Sequence, residues 1–125
     1  MCQRYVLILI GIGSNIDPLV HIPRAVEALR RRFLDVRLST FYRTKPLKGR
    51  NQPAYVNGVA AARTTDPPER VLTALTAIEN AEGRKRIAGD AYASRTLDLD
   101  LLTYAVRIDG ERGLPDSDLL ERDFV

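Results

Sequence analysis

The chain has 125 residues, of which 45% are hydrophobic and 28% charged, and its formal net charge is +3. This length suits one domain with its own core, so we expect a single domain over residues 1–125. The one cysteine, Cys2, offers no disulfide pair and no thiolate cluster for zinc, which favours a cytoplasmic protein. The apolar run at residues 6–12 is too short to span a bilayer and lacks a small-residue cleavage site.

The first half of the chain alternates strand and helix patterns. Residues 5–10 are a short run rich in Val, Ile and Leu that ends at a glycine pair, which is typical of a buried strand. Asp17-Pro18 starts a helical region, and Pro23 should restrict the regular helix to begin near it. Period-two alternation over residues 36–42 predicts a second strand. The apolar residues of the helical region share one face: Ile22, Val26, Leu29 and Phe33.

The second half of the chain has the same predicted order of a strand, a helix and a strand. Thr65-Asp66-Pro67-Pro68 is a helix start, and Gly83 is placed to close that helix. The predicted elements are a loop at residues 45–53, a strand at 55–62, a helix at 68–83, a mobile surface loop at 84–94, a strand at 96–104 and a hairpin turn at 109–110. The order β-α-β-β-α-β predicts an α+β, ferredoxin-like sandwich, with an antiparallel sheet, both helices on one face and a short C-terminal hairpin.

An acidic pair lies on the last of the four main strands. Leu97, Leu99 and Leu101 share one face of this strand, whereas Asp98 and Asp100 share the other. Two residues advance a strand by roughly 6.6 Å, so both carboxylates can reach one site and hold two Mg²⁺ ions with a polyphosphate. A solvent-exposed polar face is the structural alternative. Because aspartate is disfavoured in strands and two on one face repel, the pattern favours metal binding.

Basic residues flank this acidic pair. Arg95 comes immediately before the strand, and Arg84, Lys85 and Arg86 open the preceding loop. Phosphoryl transfer depends on positioning and charge stabilisation, so a closing loop with arginines is the expected companion of a metal site. Taken alone, the basic run is typical of solvated surface. His21, the only histidine, lies near the start of the first helix, so we expect neither a Ser-His triad nor a zinc cluster.

The glycine-rich segment at residues 11–16 does not complete a nucleotide-binding fingerprint. Ile16 occupies the place of the third glycine, and the chain contains no GxxxxGK[ST] motif. Neither a Rossmann site nor a P-loop is therefore expected. We interpret the glycines as permitting close backbone approach at a strand end.

Four segments, taken in order, resemble one enzyme family. They are Gly11-Ile12-Gly13-Ser14-Asn15, Phe41-Tyr42-Arg43-Thr44-Lys45-Pro46-Leu47, Asn51-Gln52-Pro53-Ala54-Tyr55-Val56-Asn57 and Arg95-Thr96-Leu97-Asp98-Leu99-Asp100. Together they resemble 6-hydroxymethyl-7,8-dihydropterin pyrophosphokinase of the folate pathway, over nearly the whole chain. The resemblance implies a ferredoxin-like enzyme that transfers pyrophosphate from Mg·ATP to the hydroxymethyl group of the reduced pterin and releases AMP.

The resemblance also implies roles for the residues at matched positions. The implied metal ligands are Asp98 and Asp100, and the implied catalytic residues are these two with Arg84 and Arg95. The implied nucleotide-binding residues are Glu79, Arg84, Arg95 and Arg122, although an exposed helix acid is an equal interpretation of Glu79. The implied pterin-binding residues are Thr44, Pro46, Leu47, Tyr55, Asn57 and Phe124. In this arrangement Tyr55 and Phe124 would stack on the two faces of the pterin ring.

The chain departs from the family pattern at several positions, which include Thr76, Ala91 and Tyr92, and two departures bear on the function. Asp116 stands where the family commonly has histidine, and family members continue beyond Val125 for a further strand and helix. These departures keep a second hypothesis open, a non-catalytic or altered-substrate pterin-binding relative. An RNA-binding module of this fold is disfavoured, because Asp98 and Asp100 occupy the sheet face that would need aromatic residues. We expect reduced pterin and ATP as partners, no nucleic acid or membrane, and a monomer or small homo-oligomer.

Overall fold

The computed structural model describes residues 4–45, 54–83 and 96–108. Within these ranges the elements are β1 (Arg4–Ser14), α1 (Pro18–Arg32), β2 (Leu34–Leu38), β3 (Tyr42–Thr44), β4 (Tyr55–Thr64), α2 (Pro68–Ala81) and β5 (Asp98–Ile108). The predicted α+β class and the predicted order of strands and helices are confirmed.

The described strands form one antiparallel sheet in the order β2-β4-β1-β5, and β3 also pairs with β4. β1 lies between two partners, because it pairs with β4 along one edge and with β5 along the other. β2 and β3 together occupy the place of one strand beside β4. The arrangement is that of a ferredoxin-like sandwich.

The main core lies between this sheet and the two helices. Alternate β1 residues face the helices, since successive side chains of a strand point to opposite faces. The buried residues of this core include Val6, Ile8, Ile10 and Ile12 of β1, Ile22, Val26 and Leu29 of α1, Val71 and Leu75 of α2, and Leu97 and Leu99. The other β1 residues, including both glycines, lie on the face away from the helices.

Several predicted boundaries are wrong. The strand predicted at 55–62 continues to Thr64, and the strand predicted at 96–104 spans Asp98–Ile108. Two further errors concern the first strand and the first helix. The first strand does not end at the glycine pair but continues to Ser14, because pairing with β4 and β5 supports it as far as Gly13. The first helix begins at Pro18, so Pro23 lies inside it. Pro23 cannot donate to the carbonyl of Leu19, but Leu19 is 87% exposed in the first turn, where solvent can replace that bond.

The predicted second strand is divided into β2 and β3 by an irregular segment. At the break, the Ser39 backbone N–H donates to the Val59 carbonyl, and the Ser39 hydroxyl accepts from the Val59 N–H, both at 2.8 Å. The side chain therefore replaces a ladder partner. The break also shifts the alternation, so Phe41 packs against the helix-side core, where a Cβ on Gly58 would come within 2.6 Å of its ring.

The second helix follows its prediction closely. It begins at Pro68 and ends at Ala81, and Gly83 follows with a φ of +79°, a conformation that glycine adopts readily. No helix of the described residues is long and apolar enough to cross a membrane. The loop predicted at residues 84–94, most of the loop at 45–53 and the turn at Asp109-Gly110 lie outside the described residues.

Candidate active site

Most of the predicted site residues that the structure describes share the sheet face away from the helices. The strand alternation and the pairings place on this face Thr44 of β3, Tyr55 and Asn57 of β4, Gly11 and Gly13 of β1, and Asp98 and Asp100 of β5. The pterin and metal positions suggested by the sequence thus lie on one surface.

Gly13 lies between the two groups. It pairs with Asn57 on β4 and with Asp98 on β5, so these three residues form one row across the sheet. In the neighbouring row, Gly11 pairs with Asp100. Adjacent strands are about 4.8 Å apart, so the Asn57 and Asp98 backbones are separated by about 10 Å, with a residue that has no side chain between them.

The missing side chain at Gly13 has a direct steric reason. A Cβ there would lie 2.9 Å from Asn57 Oδ1 and 3.4 Å from the Tyr55 ring. A Cβ on Gly11 would instead meet Leu102 at 3.5 Å, an ordinary contact. Gly13 therefore allows the side chains of Asn57 and Tyr55 to lie close to the β1 backbone in the middle of the sheet. We had expected the glycines to allow close approach of another backbone at the end of a strand. The sequence contains a signal for this arrangement, because residues 11 and 13 are two apart and so share one face of a strand.

Asn57 is held from the opposite side. Its Nδ2 donates a hydrogen bond to Thr44 Oγ1 at 3.1 Å. The pairing of β3 with β4 places Tyr42 opposite Asn57 and Thr44 opposite Tyr55. Thr44, Tyr55 and Asn57, which the sequence predicted as pterin-binding residues, are thus brought together.

The faces predicted for the acidic strand are confirmed. Leu97 and Leu99 are buried in the helix-side core at 0% and 6% exposure, whereas Asp98 is half-buried and Asp100 is exposed. Leu101 is partly buried and packs against the same core. The pairing with β1 then shifts register between Leu9 and Ile10, next to the carboxylate pair.

The donor set fits Mg²⁺ bound jointly with phosphates. Asp98 and Asp100 supply hard carboxylate oxygens, and Mg²⁺ typically takes one or two carboxylates while water and substrate phosphates complete its ligands. Residues 4–45, 54–83 and 96–108 contain no group of three or more His, Cys, Asp or Glu side chains that could hold a metal. Two carboxylates match the share of Mg²⁺ ligands that a protein typically supplies when phosphates and water complete the set.

Glu79 lies on the other side of the same strand. It is 4% exposed, so the interpretation of Glu79 as an exposed helix acid is wrong. Its Oε2 accepts a hydrogen bond from the backbone N–H of Leu99 at 2.8 Å. This carboxylate therefore contacts the segment that carries Asp98 and Asp100 from behind. The contact between Glu79 and Leu99 could not be predicted from the sequence, because it depends on how α2 packs against β5.

The remaining predicted site residues lie outside the described residues. They are Pro46, Leu47, Arg84, Arg95, Arg122 and Phe124, together with the departure at Asp116.

The fold and this surface define an α+β sandwich whose candidate site combines an acidic pair with an aromatic and amide cluster. The family model described as 7,8-dihydro-6-hydroxymethylpterin-pyrophosphokinase (HPPK) matches residues 9–125. The chain belongs to this family.

Several relatives support the same relationship. A 2-amino-4-hydroxy-6-hydroxymethyldihydropteridine pyrophosphokinase of Haemophilus influenzae is 39% identical over 121 residues, which cover 93% of this chain and 74% of the relative. The corresponding protein of Pseudomonas aeruginosa is 38% identical over 112 residues, or 86% of this chain and 65% of the relative. A mitochondrial folate synthesis bifunctional protein of Arabidopsis thaliana is 34% identical over 122 residues, or 94% of this chain and 22% of the relative. The chain thus spans only part of each of these proteins.

Proposed function

We propose that this chain transfers a pyrophosphoryl group from Mg·ATP to the hydroxymethyl group of 6-hydroxymethyl-7,8-dihydropterin and releases AMP, as a step of folate synthesis. Membership of the pyrophosphokinase family supports this reaction. The observation that carries the proposal is the row of Asn57, Gly13 and Asp98, which joins the pterin and metal positions across adjacent strands. We further propose that the enzyme works in the cytoplasm as a monomer or small homo-oligomer.

The pterin would bind at the β3 and β4 end of this row. Tyr55 and Phe124 would stack on the ring, and the Asn57 amide would read its polar edge together with the backbone around Thr44, Pro46 and Leu47. The contact of Asn57 with Thr44 supports this role, because it orients the amide before the ligand arrives.

The nucleotide would bind at the β5 end. Asp98 and Asp100 would hold two Mg²⁺ ions, which orient the phosphates and neutralise negative charge during transfer when they are bound. Their position about 10 Å from Asn57 leaves room for the hydroxymethyl arm and the transferred phosphates. The implied nucleotide contacts are Arg84, Arg95 and Arg122, and Arg84 and Arg95 would also stabilise charge on the transferred group. Glu79, which the resemblance also assigns to the nucleotide site, is buried on the helix side of β5, so its role there would be indirect.

The chemical step is a displacement at the β-phosphorus of ATP. The hydroxymethyl oxygen forms a bond to this phosphorus, and the bond between the β-phosphorus and the oxygen that it shares with the α-phosphorus breaks. That oxygen leaves with AMP, and the hydroxyl proton is released to water. The step needs little covalent chemistry from the protein, so positioning of the two substrates supplies most of the catalysis. This requirement agrees with the proposed set of carboxylates, an amide and arginines, which contains no nucleophile.

The experiment that tests the proposal is separation of the nucleotide products by chromatography. The chain is incubated with ATP and Mg²⁺, with and without 6-hydroxymethyl-7,8-dihydropterin. We expect AMP only when the pterin is present, in amounts equal to the pterin pyrophosphate formed. ADP would indicate transfer of one phosphoryl group and contradict the proposal. Pterin binding without nucleotide turnover would support a non-catalytic relative.

A further inference from the structure

Glu79 is a buried carboxylate behind the proposed metal site. It lies in the last part of α2 and is 4% exposed, on the helix side of the sheet. Burial of an ionised carboxylate is unfavourable unless partners compensate for the lost water. A buried glutamate in this position therefore needs a reason that its helix alone does not provide.

That reason lies in the backbone of β5. Glu79 Oε2 accepts the Leu99 N–H at 2.8 Å, and Leu99 itself is 6% exposed. Successive residues of a strand direct their backbone groups to opposite edges, so Leu99 points its N–H away from β1, whereas Asp98 and Asp100 point theirs toward it. The backbone of this segment is thus bonded on both edges. β1 pairs with Asp98 and Asp100 on one edge, and Glu79 accepts the N–H of Leu99 on the other.

The segment needs such support for two physical reasons. Among the described strands, β5 has β1 as its only partner, and β5 begins at Asp98, so the carboxylate pair lies at a strand end that would otherwise fray. In addition, two carboxylates on one strand face repel each other before a cation binds. A side-chain hydrogen bond to the backbone of the residue between them opposes both effects.

We propose that Glu79 is a positioning residue that holds Asp98 and Asp100 at the separation needed for Mg·nucleotide binding, through the backbone of Leu99. This inference rests on the proposed function for the role of the carboxylate pair. It makes the role implied for Glu79 by the family resemblance more specific, because Glu79 would act on the metal ligands through the strand.

The test compares Glu79→Leu with Glu79→Gln. Leucine removes the acceptor at similar size, whereas glutamine keeps a side-chain oxygen for the Leu99 N–H. Mg²⁺ affinity is measured by calorimetry in the presence of α,β-methylene-ATP, and exchange of the Leu99 amide is measured by NMR. We expect Glu79→Leu to weaken Mg²⁺ binding by about tenfold or more and to accelerate that exchange, while Glu79→Gln changes the affinity by less than about threefold.

The matched control is Leu75→Ala, which removes core packing from the same helix and keeps the Glu79 carboxylate. The proposal is overturned if Glu79→Leu keeps its Mg²⁺ affinity, or if Leu75→Ala weakens Mg²⁺ binding equally. It is also overturned if Glu79→Gln loses as much affinity as Glu79→Leu, because the charge would then matter and the hydrogen bond would not. Absence of Mg²⁺ binding in the unaltered chain would overturn the proposed function and, with it, the positioning role.

Discussion

The side-chain nitrogen of Asn57 donates a hydrogen bond to the hydroxyl of Thr44, 3.1 Å away on the neighbouring strand. The side-chain oxygen of Asn57 lies on the opposite side, above Gly13. Two neighbours therefore orient the Asn57 amide: Thr44 accepts its hydrogen bond, and Gly13 leaves space for its oxygen.

Replacing Thr44 with valine should weaken pterin binding. Valine keeps the shape of threonine but removes the acceptor, so Asn57 loses the bond that orients it. We expect a loss of about 0.5–1.5 kcal/mol, the usual net contribution of one hydrogen bond. Calorimetric titration with 6-hydroxymethyl-7,8-dihydropterin measures it. Thr73→Val is the control, because the Thr73 hydroxyl bonds the Glu69 carbonyl within α2. Equal affinities in the two variants would contradict the role of Thr44.

Gly13→Ala should disrupt the pterin site while Gly11→Ala is tolerated. The new Cβ at position 13 would lie 2.9 Å from Asn57 Oδ1, so Asn57 and the Tyr55 ring must move. The new Cβ at position 11 would make only ordinary contact with Leu102 at 3.5 Å. We expect at least about a tenfold loss of pterin affinity in the first variant and less than about threefold in the second. Similar affinities would show that the site accommodates a methyl group at position 13.

The face of the acidic strand and the start of α2 could be predicted from the sequence because both depend on local rules. Alternation alone places Leu97 and Leu99 opposite Asp98 and Asp100. Proline is tolerated in the first turn of a helix and disfavoured in its interior, so Pro67-Pro68 indicates that α2 begins there. Such features do not require knowledge of a tertiary partner.

Other features could not be predicted because they depend on contacts between distant residues. Ser39 interrupts its strand because Val59 of another strand lies opposite and pairs with its hydroxyl. Glutamate is usually exposed on a helix, yet Glu79 is buried and bonds the backbone of Leu99. In each case the packing of another element decides the result.

Asp98→Asn and Asp100→Asn should each abolish Mg²⁺-dependent release of AMP. Asparagine keeps the size of aspartate but removes the charge, and the side chains lie on the face away from the core, so the fold should persist. Activity is measured by product chromatography, and folding by circular dichroism. Asp35→Asn is the control, because Asp35 lies on β2 beside Arg37 and Arg63, away from the site. Full activity and unchanged ATP affinity in both site variants would exclude them as metal ligands.

Tyr55→Ala and Phe124→Ala should each weaken pterin binding by about 1–3 kcal/mol, the scale of aromatic stacking on a heterocycle. Fluorescence titration of the pterin measures this loss. The control for tyrosine removal is Tyr5→Ala, because Tyr5 lies near the start of β1, away from the proposed site. Its ring makes a cation–π contact with Arg63, whose Cζ lies 4.7 Å from the ring centroid. If pterin affinity is unchanged in both site variants, the stacking pocket is wrong.

Glu82→Ala should destabilise the fold more than removal of an exposed acid. The Glu82 side chain is 8% exposed, and its Oε1 lies 2.9 Å from His21 Nδ1 and 3.2 Å from Arg24 Nε, so it joins the end of α2 to α1. Alanine would leave the half-buried His21 without this acceptor, and we expect a loss of about 1–3 kcal/mol in the free energy of unfolding.

The matched control for this stability prediction is Glu27→Ala on α1. Glu27 pairs with Arg31 at 3.4 Å, but the two side chains are 61% and 78% exposed, so water and salt screen the pair. Exposed pairs of this kind contribute about 0.5 kcal/mol or less. Urea unfolding at neutral pH measures both variants. If Glu82→Ala is no more destabilising than Glu27→Ala, the bond between the two helices contributes little, and their packing must depend on the apolar core alone.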